Sequence, residues 1–354
     1  MVTSSHGADV ISDRVRFFIM AVLILSLTLL LTACEKAEQE AKEEQPEEQT
    51  AMPVAAMPAL PAVISFNKAA LYPEGVDYDV QRNRFLVTSM HEGTVGSVSP
   101  DGQYQPLFQD SRMVSAVGLR IDSQRDRVLV CNSDPGVSLH TDKTTQGKLA
   151  GLAVFQLSTG KLIKYLDLGG LSSGGNHFCN DIAVDDDGTA YATDSFSPII
   201  YKISSDYKAS IFLQNDRFNG EGFNLNGIVV REDYLLVAKY NEGVLFKVPL
   251  NDPENFSQVN IPDKFPGADG LLWTDDGSLV VIANQQTNKV FKLTSVDDWT
   301  SATVATSVDT GQVFATTGVA IHHDIYVLYA MLHVLFNPET KEHINTFEIH
   351  KQAL

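Results

Sequence analysis

The sequence predicts an all-β protein with the fold of a six-bladed β-propeller, and three observations carry that prediction. A short apolar strand recurs six times, and each copy opens at an anchor residue: Gly75, Gly118, Asp181, Gly227, Gly270 and Gly318. The anchors lie 43, 63, 46, 43 and 48 residues apart, which is the period of a propeller blade of about four strands. The stretches between the strands lack the 3.6-residue periodicity of a crossover helix, which argues against a parallel α/β fold.

A second β-rich run follows each anchor strand after a short turn, and a β-sandwich gives no reason for six such copies. These runs read RFLVTSM, RVLVCNS, TAYATDS, YLLVAKY, SLVVIAN and DIYVLYA. The 63-residue spacing predicts an insertion in the second blade at 134–149. Either AVISF (62–66) or HINTFEI (343–349) can supply the strand that closes the ring. We therefore assign the propeller to residues 62–354 and leave the closing strand open.

Residues 1–33 have the layout of a secretory signal. Arg14 and Arg16 precede an apolar run, 17–31, and the segment ends in Leu-Thr-Ala followed by Cys34. The pattern resembles a bacterial lipoprotein signal, in which Cys34 is acylated and becomes the mature N-terminus. The alternative, an uncleaved membrane helix, is disfavoured because the run is shorter than the ~20 apolar residues that span a bilayer. Glu35 follows the cysteine, which by resemblance to the sorting rule favours an exported lipoprotein anchored in the outer membrane and facing the periplasm.

Residues 34–61 are rich in Glu, Gln, Ala and Pro, which predicts a solvated acidic tether without a core. The whole chain carries a formal net charge of −18. Nucleic-acid binding needs a basic stripe, so we expect no nucleic-acid partner. The sequence gives no indication of the oligomeric state.

The residue that precedes each anchor predicts the chemistry of the protein. In chain order these residues are Glu74, Val117, Asn180, Asn226, Asp269 and Thr317. The first strand of each propeller blade lines the central channel, so equivalent positions in different blades point to one axis. Four of the six positions carry carboxylate or carboxamide oxygens. The repeat therefore predicts a ring of oxygen donors at one end of the channel.

Oxygen donors of this type predict a hard divalent cation, and a wide cage favours Ca²⁺. Mg²⁺, Mn²⁺ and Zn²⁺ are alternatives, although zinc prefers His or Cys and no anchor position supplies either. Asn-Gly and Asp-Gly are also common turn dipeptides, but a turn gives no reason for Glu or Asn at the same position of other blades. If the strands begin in such turns, Gly227 and Gly270 are expected to need a positive φ.

Four phrases carry a resemblance to a known family: YPEGVDYD, CNDIAVDDDGTAYATDS, NGIVV and ADGLLWTDDGSLVV. They resemble the regucalcin/gluconolactonase family and its relatives, the paraoxonases, squid-type fluorophosphatases and bacterial lactonases. The resemblance extends over about residues 70–335. It implies a six-bladed propeller that hydrolyses lactones, esters or organophosphates. It also implies a catalytic calcium, or another divalent ion, held by Glu74, Asn180, Asn226 and Asp269.

The same resemblance implies the catalytic group. Asp269 matches the aspartate of the family, so it is expected to be the general base or to orient the nucleophile, with Glu74 as the second candidate. His177 and His91 compete with them, because paraoxonase-like enzymes use a histidine near the metal. Neither histidine lies in a phrase that matches the histidine motif of the family.

The second strands end on the face where the first strands begin, so polar residues at those ends are expected around the metal. Together with His177, the candidate substrate contacts are His91, Asn132, Asp194, Tyr240 and Asn284. Cys131 and Cys179 fall on the same face of neighbouring blades. In an exported protein they could pair as a disulfide, and the alternative is two small buried thiols.

These inferences favour a calcium-dependent hydrolase that acts on a small-molecule lactone or a related ester. The alternative is a non-catalytic, metal-stabilised propeller that binds a ligand or a protein partner. A propeller with a metal does not by itself fix the reaction, because one fold supports many functions.

Overall fold

The computed structural model describes residues 59–340 and 343–354. The predicted signal segment, the lipidation site Cys34 and nearly all of the acidic tether lie outside the described residues. Leu60–Leu354 form a compact unit by themselves. Within this described part, no helix has the length and the apolar character needed to cross a membrane.

The described residues form six antiparallel sheets of four strands each, which confirms the predicted six-bladed propeller. The first strand in the chain, β1 (Val63–Asn67), belongs to the last blade. Blade 1 consists of β2 (Val76–Asp79), β3 (Arg84–Thr88), β4 (Val95–Val98) and β5 (Tyr104–Phe108). Blade 2 consists of β6 (Ser115–Asp122), β7 (Arg127–Ser133), β8 (Ala150–Gln156) and β9 (Leu162–Asp167). Blade 3 consists of β10 (Cys179–Val184), β11 (Ala190–Asp194), β12 (Ile199–Ile203) and β13 (Ala209–Gln214).

Blades 4 to 6 continue the same order along the chain. Blade 4 consists of β14 (Leu225–Arg231), β15 (Tyr234–Lys239), β16 (Val244–Pro249) and β17 (Ser257–Gln258). Blade 5 consists of β18 (Ala268–Trp273), β19 (Leu279–Ala283), β20 (Lys289–Thr294) and β21 (Thr303–Asp309). Blade 6 consists of β22 (Ala315–Ile321), β23 (Asp324–Tyr329) and β24 (Thr346–Gln352), together with β1. One short α-helix, α1 (Leu332–Leu335), lies between β23 and β24. The 3₁₀ turns are Val80–Arg82, Ser123–Arg125, Gly169–Leu171, Asp216–Phe218 and Pro253–Asn255.

The two ends of the described chain close the ring together. In the last sheet the strand order is β22-β23-β24-β1, so β1 is the outermost strand and β24 lies beside it. Phe66 of β1 is paired with Phe347 of β24, and both side chains are buried. Both sequence candidates for closure are therefore used, and the N-terminal one supplies the outer edge.

The hydrophobic core lies between neighbouring blades. Leu86 of blade 1 packs in one cluster with Val128 and Phe155 of blade 2. Leu236 of blade 4 and Leu279 of blade 5 belong to another cluster of the same kind. Because most blades are covered on both faces, their central strands are apolar at almost every position, as in β15 and β19.

Glycine at the anchor positions allows the inner strands to approach each other closely. A Cβ atom on Gly227 would overlap the carbonyl oxygen of Asp269 in the next blade. A Cβ atom on Gly270 would lie 2.6 Å from the Cα of Thr317. Neither glycine has a positive φ, so the expectation of a turn conformation there is wrong. Interblade packing, and not backbone conformation, requires these residues.

A disulfide joins neighbouring blades on the face that carries the predicted donors. Cys131 of β7 is bonded to Cys179 of β10, with the two Cα atoms 5.3 Å apart and a sequence separation of 48. Both residues are fully buried. Closing a loop of this length in the unfolded chain contributes about 4 kcal/mol in the chain-entropy description. The bond fixes the residue that immediately precedes Asn180.

We expect Gly227→Ala to destabilise the protein by about 3 kcal/mol, because its methyl group would overlap a backbone oxygen that cannot move independently. Gly311→Ala is the matched control, since Gly311 has a φ of 75° and open space around its Cα. That substitution adds only conformational strain, of about 1 kcal/mol. Chemical denaturation of both variants measures the difference. Equal losses would show that close packing does not distinguish the two positions.

Candidate functional site

A β-bulge turns the predicted donor out of the regular pleat in three blades. In β10 the pairing with β11 skips the two residues after Cys179, and these include Asn180. The same irregularity brackets Asn226 in β14 and Asp269 in β18. A bulge places two residues opposite one, bends the strand and re-aims the side chain. The repeat therefore positions these three donors through one local device.

The fourth predicted donor, Glu74, lies two residues before the start of β2. The backbone N–H groups of Glu74 and Gly75 both donate to Thr88 Oγ1, at 3.3 and 2.7 Å. On the other side of the ring, Thr316 Oγ1 donates to the carbonyl oxygen of Glu74 at 2.7 Å. The last and the first blade thus hold the Glu74 backbone between two threonine hydroxyls.

All four predicted donors line one cavity of about 170 Å³ at this end of the channel. Each of them is buried, with between 3% and 6% of its surface exposed. The other lining residues are Met90, Val117, Phe178, Phe223, Tyr240, Gln285, Phe314, Leu332, His333 and Phe336. The structure places around one cavity the four side chains that the sequence repeat placed at equivalent positions. Their role as metal ligands stays a prediction.

Hydrogen bonds from neighbouring side chains orient two of the donors. Asn180 donates from Nδ2 to Ser195 Oγ at 2.8 Å, which leaves its Oδ1 to face away from that hydroxyl. Asn284 donates from Nδ2 to Asp269 Oδ2 at 2.5 Å. Tyr240 in turn donates its hydroxyl to Asn284 Oδ1 at 2.7 Å. Asp269 is therefore held by a chain of two side chains from blades 4 and 5.

The carboxyl groups of the site are electrostatically unfavourable to one another. Burial, followed by the charges of Asp269 and Asp181, raises the pKa of Glu74 well above its ordinary value. Burial and the Asp181 charge likewise raise the pKa of Asp269, against the hydrogen bond from Asn284. Within the described chain, the residues that line this cavity include neither Lys nor Arg. The site therefore gathers buried carboxyl groups without a lysine or arginine in its wall.

Asp181 is a third buried carboxyl, next to Asn180 in the same bulge. Its two oxygens accept hydrogen bonds from the backbone N–H groups of Ile182 and Ile228, at 2.8 and 3.2 Å. Burial raises the pKa of Asp181 although the charge of Arg120 opposes the effect. The sequence pattern treated this residue only as a strand anchor, so its contribution to the charge of the channel was missed.

The donor set fits a hard divalent cation. Glu74 Oε2 and Asn180 Oδ1 are buried acceptors without a hydrogen-bond partner among the described residues. An unpartnered buried oxygen is unfavourable, and a cation would satisfy both oxygens and offset the carboxylate charge. Across the described part of the chain, no group of three or more His, Cys, Asp and Glu side chains is arranged for a metal ion. Two carboxylates with two carboxamides are better suited to Ca²⁺, Mg²⁺ or Mn²⁺ than to Zn²⁺.

Among the predicted substrate contacts, the structure places Tyr240 in the wall of the cavity. Asn284 lies beneath it and holds Asp269. Asn132 is fully buried, where its Oδ1 accepts from the Val114 N–H at 2.7 Å, which is a structural arrangement. His91 is half-buried and directs Nδ1 to the carbonyl oxygen of Val137 at 2.8 Å. As substrate contacts these residues stay predictions, and Tyr240 alone among these four lines the cavity.

His177 and Asp194 form a buried pair behind the cavity wall. Nδ1 of His177 lies 2.8 Å from Asp194 Oδ2, and this hydrogen bond raises the pKa of the imidazole. The Tyr201 hydroxyl donates to the same oxygen at 2.8 Å. The other oxygen, Oδ1, accepts from the backbone N–H of Phe178, whose ring lines the cavity. The pair therefore supports the wall, and neither residue lines the cavity.

Sequence reasoning missed the apolar wall because it examined polar residues only. Phe178 and Phe223 precede the predicted donors Asn180 and Asn226 by two and three residues, a proximity that could have indicated them. Four further wall residues, Phe314, Leu332, His333 and Phe336, come from the segment directly before β22 and from the connection between β23 and β24. No repeat signal marks that connection.

No protein-family model and no curated protein matches this chain. Its structure is similar to the major allergen Mala s 1 of Malassezia sympodialis, with 17% identity, a TM-score of 0.66, and coverage of 83% of this chain and 96% of that one. A proposed gluconolactonase is 15% identical, with a TM-score of 0.54 and coverage of 83% and 94%. A luciferin-regenerating enzyme is 12% identical, with a TM-score of 0.56 and coverage of 82% and 97%. At these identities the likeness establishes the shared propeller fold.

We expect Glu74→Gln to stabilise the protein in the presence of a chelator, and to do so more at higher pH. The pKa of Glu74 is raised above its unfolded value of about 4.3. The contribution of protonated Glu74 to the free energy of unfolding is therefore fully present below about pH 4.3. It is lost as the pH rises through the raised pKa, and the amide lacks this titration. Thermal unfolding in chelator at several pH values between 4 and 8 measures the effect.

The exposed residue Glu254 offers the control, because Glu254→Gln makes the same chemical change in solvent. The Tm of that variant should follow the wild-type protein at every pH. A difference between Glu74→Gln and wild type that does not vary with pH would contradict the electrostatic argument.

Proposed function

We propose that this protein is a calcium-dependent hydrolase that acts on a lactone or a related ester in the cavity. The observation that carries the proposal is the convergence of four buried oxygen-bearing side chains, two of which keep an unpartnered oxygen. The resemblance to the gluconolactonase-like family supports the reaction class. So does the shared fold with a proposed gluconolactonase, although the fold by itself does not fix a reaction.

Glu74, Asn180, Asn226 and Asp269 would hold the ion. When bound, it would polarise the substrate carbonyl and stabilise the negative charge that develops on its oxygen. Asp269 accepts the proton of the attacking water, and Asn284 keeps its carboxylate in a fixed orientation. The aromatic wall excludes bulk water from the reacting groups.

A second candidate function is a non-catalytic propeller in which the ion is structural and the cavity binds a ligand or a protein partner. The fold is compatible with both functions, because one fold supports many. A panel of lactones, aryl esters and organophosphates with and without chelator separates the two. Turnover that the chelator abolishes supports the hydrolase, and no turnover of any compound supports the binding protein.

We expect Asp269→Asn to reduce kcat by ~100-fold or more at saturating calcium, which is the usual size of a general acid–base contribution. The variant keeps an oxygen donor and nearly the same volume, so circular dichroism should show an unchanged fold. Glu74→Gln makes the same charge change at another donor and serves as the matched control. If excess calcium restores both variants equally, Asp269 and Glu74 are both only ligands, and the assignment of Asp269 as the general base is wrong.

We also propose that the protein is exported and anchored through an acylated Cys34 in the outer membrane. The buried disulfide supports an oxidising compartment, because disulfides are rare in the cytosol. Cys34→Ala should move the protein from the membrane fraction to the soluble fraction or block its processing. Unchanged fractionation together with unchanged mature size would remove the lipid anchor from the proposal.

A further inference from the structure

We propose that the cavity selects a lactone or ester whose non-reacting part is an apolar group of about the size of a phenyl ring or a short alkyl chain. The inference rests on the proposed hydrolase function and names its substrate class. It excludes a polyhydroxylated sugar lactone as the preferred substrate. Three observations support the inference. They are the apolar wall of the cavity, the volume of the cavity and the strained backbone at its mouth.

The wall of the cavity is mainly apolar beyond the four donors. Its apolar side chains are Met90, Val117, Phe178, Phe223, Phe314, Leu332 and Phe336. Small-molecule sites generally combine such a wall with a few placed polar groups that fix orientation. Here the oxygen donors provide the polar groups, and the wall is left to contact the rest of the substrate.

Beyond the four donors, the wall contains only three polar side chains, Tyr240, Gln285 and His333. The hydroxyl of Tyr240 donates its hydrogen to Asn284, so it can offer a ligand only an acceptor oxygen. The His333 ring stacks on Phe314 with 6.3 Å between centroids, and burial lowers its pKa, so it is uncharged at neutral pH. Several sugar hydroxyls would therefore leave water without matching partners, which is unfavourable for each of them.

The aromatic part of the wall is built as a packed cluster. The rings of Phe178 and Phe223 meet edge to face with 5.2 Å between centroids. Phe196 lies behind them at 5.2 and 5.0 Å from the same two rings, and Tyr240 lies 6.3 Å from Phe223. Edge-to-face packing of this kind fixes ring orientation. The cluster therefore presents a preformed aromatic surface to the cavity.

The mouth of the cavity is held in strained backbone conformations. Phe314 has a φ of 49° and Gln285 a φ of 52°, and both line the cavity. Met331, directly before the cavity residue Leu332, has a φ of 57°. Left-handed conformations are unfavourable for bulky residues, and they cluster at ligand sites where the fold enforces them. The Met331 N–H donates to the Val313 carbonyl oxygen at 2.9 Å, which ties the two strained segments together.

The size of the cavity limits the apolar group. Its volume is about 170 Å³. An apolar protein cavity of roughly 150 Å³ holds a benzene molecule. This volume limits the apolar group to one phenyl ring or a chain of a few carbons at most, and Phe336, 38% exposed, lies where the cavity meets solvent.

The first test compares δ-octalactone with glucono-δ-lactone on the calcium-loaded protein. We expect kcat/KM, divided by the rate of alkaline hydrolysis of each compound, to favour the apolar lactone by at least ~100-fold, since each unpaired hydroxyl loses about tenfold. Equal values, or a preference for the sugar lactone, would overturn the substrate class while leaving the hydrolase intact.

The second test measures binding without turnover, by titration calorimetry with 6-propylpiperidin-2-one and gluconolactam. We expect Phe223→Ala and Phe336→Ala to weaken binding of the apolar lactam by ~10-fold or more. Ile163→Ala is the control, because Ile163 is 43% exposed in the outer strand β9, away from the cavity. If the apolar lactam binds in this way but no lactone or ester is turned over, the apolar site stands and the hydrolase proposal fails. If the apolar lactam does not bind, or the wall variants bind it like wild type, the inference is wrong.

Discussion

The close approach of the inner strands around the channel is the constraint on which the rest of the structure depends. Six sheets can surround one axis only if their innermost strands nearly touch, and Gly227 makes such a contact with the Asp269 backbone. The same strands carry bulges, which release one side chain per blade from the pleat. The geometry that closes the ring therefore also directs Asn180, Asn226 and Asp269 to a common space.

That convergence has an electrostatic consequence. Glu74 and Asp269 are brought together in a buried site, with Asp181 close enough to act on both. Each carboxyl would be more stable alone in water, and the fold holds them in spite of this. Such an arrangement is typical of sites where function, and not stability, decides the residues. A cation that neutralises the site would contribute to folding as well as to chemistry.

The repeat allowed the ring and the donor positions to be predicted, because a fixed register transfers one geometry from blade to blade. The same register could not predict how the ring closes, since β1 and β24 are adjacent only in the folded chain. It also misjudged Gly227 and Gly270, because a close contact between distant strands leaves no local sequence signal. The predicted substrate contacts were chosen by polarity at strand ends, whereas Asn132 and Asp194 satisfy their polar atoms within the protein.

Part of the apolar wall comes from a different part of the fold than the floor of the cavity, which the four oxygen donors form. The four donors lie at the repeated inner strands, whereas Leu332 and Phe336 belong to the connection between β23 and β24, which occurs once. A loop that is free of the repeat can change without disturbing the ring, so it can determine the ligand while the floor retains its chemistry. The apolar wall has to be interpreted from this chain alone, and its side chains favour an apolar ligand.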